Sequence, residues 1–176
     1  SMKHSCGAIL YSFDPRGRLG IVLGLEGRCW SPFKGCKDKG ETYEQAAIRE
    51  IYEETCGLVK INNINLEHEF SSKNKHYHIG LVYVSYNFVK KFGDIRCHMI
   101  EKHFLEKTRV KFFPLDEIHY HQKIHSLTLV SIRFFWNKLL CIPDTVSGKI
   151  KENKQYKDGP RRKYDIFNKG ESDLNF

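Results

Sequence analysis

The chain has 176 residues, 40% of them hydrophobic and 28% charged, which fits one globular domain with a short extension. No apolar run approaches the ~20 residues of a membrane-spanning helix and the N-terminus lacks a signal-peptide pattern, so no membrane association and a cytoplasmic or nuclear setting are expected. The formal charge of +8 points towards an anionic partner such as a nucleotide, an inositol phosphate or RNA.

In chain order, Cys6 to Phe13 (CGAILYSF) is strand-like, Asp14-Pro15-Arg16-Gly17 is a turn, and Leu19 to Leu25 returns as a second strand. A loop rich in Gly and Lys follows, from Gly27 to Gly40. Thr42 to Thr55 is predicted to be a helix, opened by a Thr42/Gln45 capping box and closed near Gly57. Strands are predicted over Asn65 to Ser71 and His76 to Val89. Cys97 to Lys107 is ambiguous between a short helix and a structured loop. Arg109 to Ile118 holds another strand, and Ser126 to Leu140 a second helix. Ser126 is expected to cap that helix, and Leu127, Val130, Phe134, Phe135 and Trp136 to form its apolar face. The order implies a mixed α/β fold, with helices packed on a mixed sheet. The six cysteines lack the two-residue spacing of a zinc knuckle or a redox dithiol, and read as reduced thiols. His121 and His125 stand four apart, but no third ligand lies at a convincing spacing, so zinc is not expected.

The chemistry-bearing feature lies on the first helix. Glu50, Glu53 and Glu54 occupy i, i+3 and i+4, which places them on one face at about 100° per residue. Bare carboxylates this close repel, and a hard cation relieves the repulsion. A solvated acidic face is the ordinary alternative for three isolated glutamates, but their context is not ordinary. Gly35 is followed by five residues, Glu41, seven residues, and then Arg49-Glu50-Ile51-Tyr52-Glu53-Glu54.

That pattern resembles the box of the Nudix hydrolase family, Gly-x5-Glu-x7-Arg-Glu-U-x-Glu-Glu-x-Gly-U, with U aliphatic. Every charged position and the first Gly match. The later Gly is replaced by Cys56, with Gly57 one place on, from which a slightly longer last helical turn is expected. The initial hairpin, Trp30, the Lys34-Gly35 step and Phe113 to Ile118 extend the resemblance over residues 3–142. It implies an α/β/α sandwich with the box as loop–helix–loop; after Pro143 the composition shifts, and 143–176 is read as a basic extension. The resemblance also implies Mg²⁺ or Mn²⁺ held by Glu50, Glu53, Glu54 and Glu41 with the Gly35 carbonyl. Arg49 would orient a metal-binding glutamate. Glu101 and Glu106 are candidates for the general base by position alone. Lys34, Trp30 and Lys37 are expected to meet the substrate.

The family resemblance implies cleavage of a pyrophosphate linkage, while other loops choose the substrate. Trp30-Ser31-Pro32-Phe33-Lys34-Gly35 is similar to a Trp-x-x-Pro-Lys-Gly segment of decapping and dinucleoside-polyphosphate members, with Pro32 and Phe33 transposed. Residues 149–163 carry seven basic and two acidic side chains, suited to a phosphate backbone. Decapping of mRNA 5′ ends with release of m7GDP is the leading expectation, with an RNA contact through the basic segment. Diadenosine or diphosphoinositol polyphosphates come next, and a non-catalytic RNA-binding module last.

Overall fold

The computed structural model describes residues 2–98, 106–118 and 123–143. Its strands are β1 (Lys3–Phe13), β2 (Leu19–Glu26), β3 (Cys29–Ser31), β4 (Phe33–Cys36), β5 (His68–Ser72), β6 (Lys75–Tyr83) and β7 (Arg109–Pro114). Its helices are α1 (Tyr43–Glu54), α2 (Asn87–His98) and α3 (Ser126–Leu140), with a single 3₁₀ turn at Leu115–Glu117.

β1 is the axis of the sheet. It pairs in parallel with β6 from Lys3↔Lys75 to Tyr11↔Tyr83, and β5 lies antiparallel on β6. Its other edge is shared. Leu10 to Phe13 pairs with β2, and Ser5 to Ala8 pairs with β4. β3 pairs with the far end of β2, and β7 covers the outer edge of β2. The segment from Cys29 to Cys36 therefore passes from β2 to β1 and changes partner at Pro32, a residue with no N–H to give to a ladder. This wedge parts β2 from β1 and leaves a gap beside α1.

A strand covered on both faces must be apolar on both, which explains the CGAILYSF run. Ala8 and Leu10 pack with Val22, Phe33, Ile51 of α1, and Phe88 and Phe92 of α2. Ile9, Ile21 and Leu23 pack on the opposite face against Leu129, Ile132, Phe135, Trp136 and Leu139 of α3. The result is the expected mixed α/β fold, a three-layer sandwich with α1 and α2 on one face and α3 on the other. Burying a side chain such as Ile51 contributes about 2 kcal/mol to holding α1 in place.

Several sequence expectations are corrected. β6 ends at Tyr83, and the run expected to continue it to Val89 turns into α2 instead. Phe88 and Phe92 stand four apart and bury one helical face. Ser126 is the first residue of α3 and makes no cap; the N-cap position is His125, whose side chain makes no capping bond. Phe134 is 51% exposed, so the buried face runs through Leu129, Ile132 and Leu139 in its place. α1 gains no extra turn. It stops at Glu54, the Cys56 amide donates to the Glu53 carbonyl (3.1 Å), and the Gly57 amide donates to the Tyr52 carbonyl (2.8 Å). This is a Schellman ending, with Cys56 in the left-handed position at φ 55°. Glu101 and all of 143–176 beyond Pro143 lie outside the described residues.

His68 ties β5 to α3. Its ring stacks on Phe134 at 4.2 Å and on Phe70 at 4.5 Å, and Nδ1 lies 3.1 Å from Ser131 Oγ. Burial pushes its pKa down from 6.5 to about 4. Above pH 6.5 neither folded nor unfolded chain binds this proton. As pH falls, the unfolded chain binds it first, so stability is lost between about pH 6.5 and about pH 4, on the order of 3 kcal/mol at full effect. Urea unfolding of His68→Leu across that window is expected to show a flatter pH dependence than wild type; parallel curves contradict the assignment.

Candidate active site

α1 begins where the sequence predicted. The Gln45 amide donates to Thr42 Oγ1 (3.1 Å) and the Thr42 amide donates to Gln45 Oε1 (2.9 Å), which satisfies two orphan donors. One turn further on, Arg49 gathers the loop and the helix. Its Nε and Nη2 donate to the two Glu41 oxygens at 2.8 and 2.9 Å, a bidentate pair. Nη1 donates to Glu50 Oε1 (2.8 Å) and to Glu53 Oε2 (3.2 Å), and Nη2 also reaches the Cys36 carbonyl (2.9 Å). The Asp38 amide donates to Glu41 Oε1 (2.8 Å) and completes the loop. Hydrogen bonding from Arg49, then from the Asp38 amide, holds the Glu41 carboxyl down at about 2.

The three helix glutamates differ in burial. Glu53 is exposed and Glu50 half-buried, while Glu54 is buried. Glu50 lies directly against Gly35. A Cβ at Gly35 would sit 2.2 Å from the Glu50 carboxyl carbon, so only glycine lets this carboxylate dock on β4. Burial pushes the Glu50 carboxyl above its usual value, against the pull of Arg49.

Glu54 turns inward to the sheet. The Lys34 amide donates to its Oε1 (2.8 Å), and its Oε2 is buried with no hydrogen-bond partner. Burial holds this carboxyl well above the usual carboxylate range; the nearby charge of Lys107 opposes the shift and Glu106 adds to it. Oxygens of Glu26, Glu54 and Glu106 lie within 4.8 Å of one another. Lys107 is buried beside them, its ammonium donating to Ser31 Oγ (2.7 Å) and Glu26 Oε2 (3.3 Å). A Cβ at Gly24 would strike the Lys107 chain at 2.6 Å, so β2 is cut to fit it. Three converging carboxylates and one partnerless buried oxygen fit a hard divalent cation, which takes oxygen ligands. Glu54, Glu26 and Glu106 could hold one, with Glu50 and Glu53 on the open side.

Of the other expected residues, Lys34 is beside the site, with Nζ 5.4 Å from the Tyr77 ring centre. Trp30 is 9% exposed and meets Phe113 edge-on at 5.3 Å, packed within the core. Lys37 sits on the outer side of the box loop, its Nζ donating to the Asp38 carbonyl (3.3 Å). Glu26 and Lys107 were not foreseen. They meet through long-range pairing, with Leu25 opposite Arg109 across β2 and β7, and no local spacing announces that. From Glu26 a small cleft of about 80 Å³, partly open to solvent, runs past Ser31, Lys34, Tyr77, His125 and Thr128. Thr128 Oγ1 is buried there without a partner.

The NUDIX domain family matches residues 4–131, and the chain belongs to that family. It is therefore a pyrophosphohydrolase of a family that generally requires divalent metal ions. Among curated proteins no relative matches. Solved structures are similar to this chain. A mutT/nudix family protein from Listeria innocua is 19% identical over 65% of this chain and 80% of its own, with a TM-score of 0.49. The C-terminal domain of mouse MUTYH, in complex with human PCNA, is 9% identical over 78% of this chain and 90% of its own, at 0.54. A C. elegans Ap4A hydrolase is 18% identical over 65% of this chain and 81% of its own, at 0.43. No helix among the described residues is long and apolar enough to cross a membrane.

Gly35→Ala is expected to displace the Glu50 carboxylate and lower pyrophosphate turnover about a hundredfold, with the circular dichroism spectrum unchanged. Turnover at the wild-type level contradicts the docking of Glu50 on Gly35.

Proposed function

We propose that this chain hydrolyses the polyphosphate bridge between two nucleoside groups, with capped RNA 5′ ends as its leading substrate and m7GDP as the product. The observation that carries this reading is the opening of the carboxylate site onto the cleft of Lys34, Tyr77, His125 and Thr128. Its partnerless Thr128 hydroxyl and the neighbouring Lys34 ammonium suit a polar, anionic ligand. The overall charge of +8 favours a polyanion. RNA contact through residues 149–163 stands on their charge alone.

In this reading Glu50, Glu53, Glu54 and Glu41, with the Gly35 carbonyl, hold Mg²⁺ or Mn²⁺, and Glu26 and Glu106 extend that set. A divalent cation, when bound, neutralises the bridging phosphates and makes an attacking water more acidic. Arg49 fixes Glu50 and Glu53, so the carboxylates are oriented before substrate arrives. Glu106 stands close enough to Glu54 to accept a proton from the water as its oxygen forms a bond to phosphorus and the bridging oxygen leaves. Glu101 remains a candidate for the same task. Lys34 offers its ammonium as a point charge to the phosphates. Lys107 is held by Ser31 and Glu26, which keeps one fixed positive charge at the rear of the site.

Dinucleoside polyphosphates present the same bridge without an RNA body and are the second reading; diphosphoinositol polyphosphates share the charge and a phosphoanhydride linkage but carry no nucleoside. Wild type and Glu53→Gln, each with Mg²⁺ or Mn²⁺, are to be given cap-labelled RNA, diadenosine tetraphosphate and a diphosphoinositol phosphate. Wild type is expected to release m7GDP in preference to turning over the small molecules, and Glu53→Gln to be slower by roughly ten- to a hundredfold. Turnover of a small molecule with capped RNA untouched overturns decapping and leaves the second reading.

A further inference from the structure

The cleft does not end at His125. Tyr77, His125 and Leu127 also line a second depression, whose far wall is made by Lys3, Lys73, Asn74 and Lys75. The two depressions meet at these three residues, with Glu26 on the far side of one and three lysines on the far side of the other. Among the described residues no acidic one lines the lysine end.

The backbone builds this rim deliberately close. Lys3 and Lys75 are direct partners at the first position of the parallel β1–β6 pair, an arrangement in which like charges repel. The Lys3 amide donates to the Asn74 carbonyl (3.4 Å), so the start of β1 is tied to the β5–β6 turn. Within that turn Lys73 has φ 54°, a left-handed conformation that glycine adopts at lower cost. Lys3 and Lys75 thus stand where like charges repel, and Lys73 where the backbone favours glycine. Such strain collects at ligand clamps, and a phosphate resting on the rim offsets the repulsion. The cationic field also reaches the place where the two depressions meet. His125 is pushed down to about 4 by burial first, and then by the charges of Lys34, Lys107 and Lys73.

We propose that Lys3, Lys73 and Lys75 form a second phosphate subsite, which takes substrate phosphates lying beyond the scissile linkage. This rests on the two-nucleoside reading above and deepens it: the substrate must carry phosphate in both depressions. Those phosphates come either from the remainder of a long polyphosphate bridge or from the first phosphodiesters of an RNA body. A nucleotide whose phosphates end at the cleaved bond gains nothing from the rim.

The test uses the full chain with Mg²⁺ and two ligands made resistant to cleavage by methylene bridges: a dinucleoside tetraphosphate and a capped RNA decamer. Binding is measured against salt for wild type, for Lys3→Gln/Lys73→Gln/Lys75→Gln, and for Lys60→Gln/Lys90→Gln/Lys91→Gln. The last set removes the same charge from exposed positions elsewhere. The rim variant is expected to bind at least one ligand roughly tenfold more weakly, and its salt slope is expected to fall by about one for each lysine that meets phosphate. Loss with RNA alone assigns the rim to the RNA body, and loss with both assigns it to the bridge. Equal affinities in all three proteins, or equal losses in both variants, overturn the subsite alone. Failure of wild type to bind either ligand overturns the subsite together with the two-nucleoside reading.

Discussion

Arg49 is surrounded by the carboxylates of Glu41, Glu50 and Glu53, and all three take their positions from it. The same guanidinium reaches the Cys36 carbonyl at the end of β4. One planar, permanently charged group thus fixes the loop, the helix and the strand edge relative to each other. Lysine, with a single point charge, could not make this fork of contacts. Its burial among acids is strongly favourable to its charged form, since the bonds to Glu41 and Glu50 outweigh the cost of burial. The remaining site geometry depends on this tie, because it sets the angle at which α1 presents its other carboxylate to the sheet.

That other carboxylate is Glu54, and the sheet is shaped to receive it. The change of partner at Pro32 parts β1 from β2, and the Lys34 amide beyond it is turned towards Glu54. Lys107 fills the rear of the gap, bonded to Ser31 and Glu26. Among the described residues Lys107 is bonded to Glu26 and Lys34 lies near Glu26 and Glu54, so a deficit of positive charge arises when all three carboxylates are ionised. Burial makes the deficit costly. A divalent cation removes it, which is why the fold and its chemistry are inseparable here.

How much of this was legible in the sequence follows from the range of each interaction. The box on α1 is local, and Gly35, Glu41, Arg49 and the three glutamates were legible through the resemblance of their spacing to the Nudix box, while the Thr42 cap followed from its own Thr/Gln spacing. The hairpin of β1 and β2 announced itself by its turn. α2 was hidden because its aromatic and β-branched residues resemble a strand, and only the Phe88 and Phe92 spacing betrays the helical face. Trp30 stands before the box in sequence, and β3 turns it into the core. Glu26 and Lys107 are 81 residues apart and meet only through the β2–β7 ladder. Cys56 replaces a glycine without lengthening α1, because a cysteine can hold the left-handed position at a modest cost.

The central claim is that the buried Glu54 carboxylate is a ligand for a divalent cation. Mn²⁺ is to be titrated into wild type and Glu54→Gln, with free Mn²⁺ followed by electron paramagnetic resonance and folding by circular dichroism. Glu54→Gln is expected to remain folded and to bind Mn²⁺ at least roughly tenfold more weakly. A folded variant with wild-type Mn²⁺ affinity would contradict the account, and would make Glu54 a structural anchor between α1 and β4.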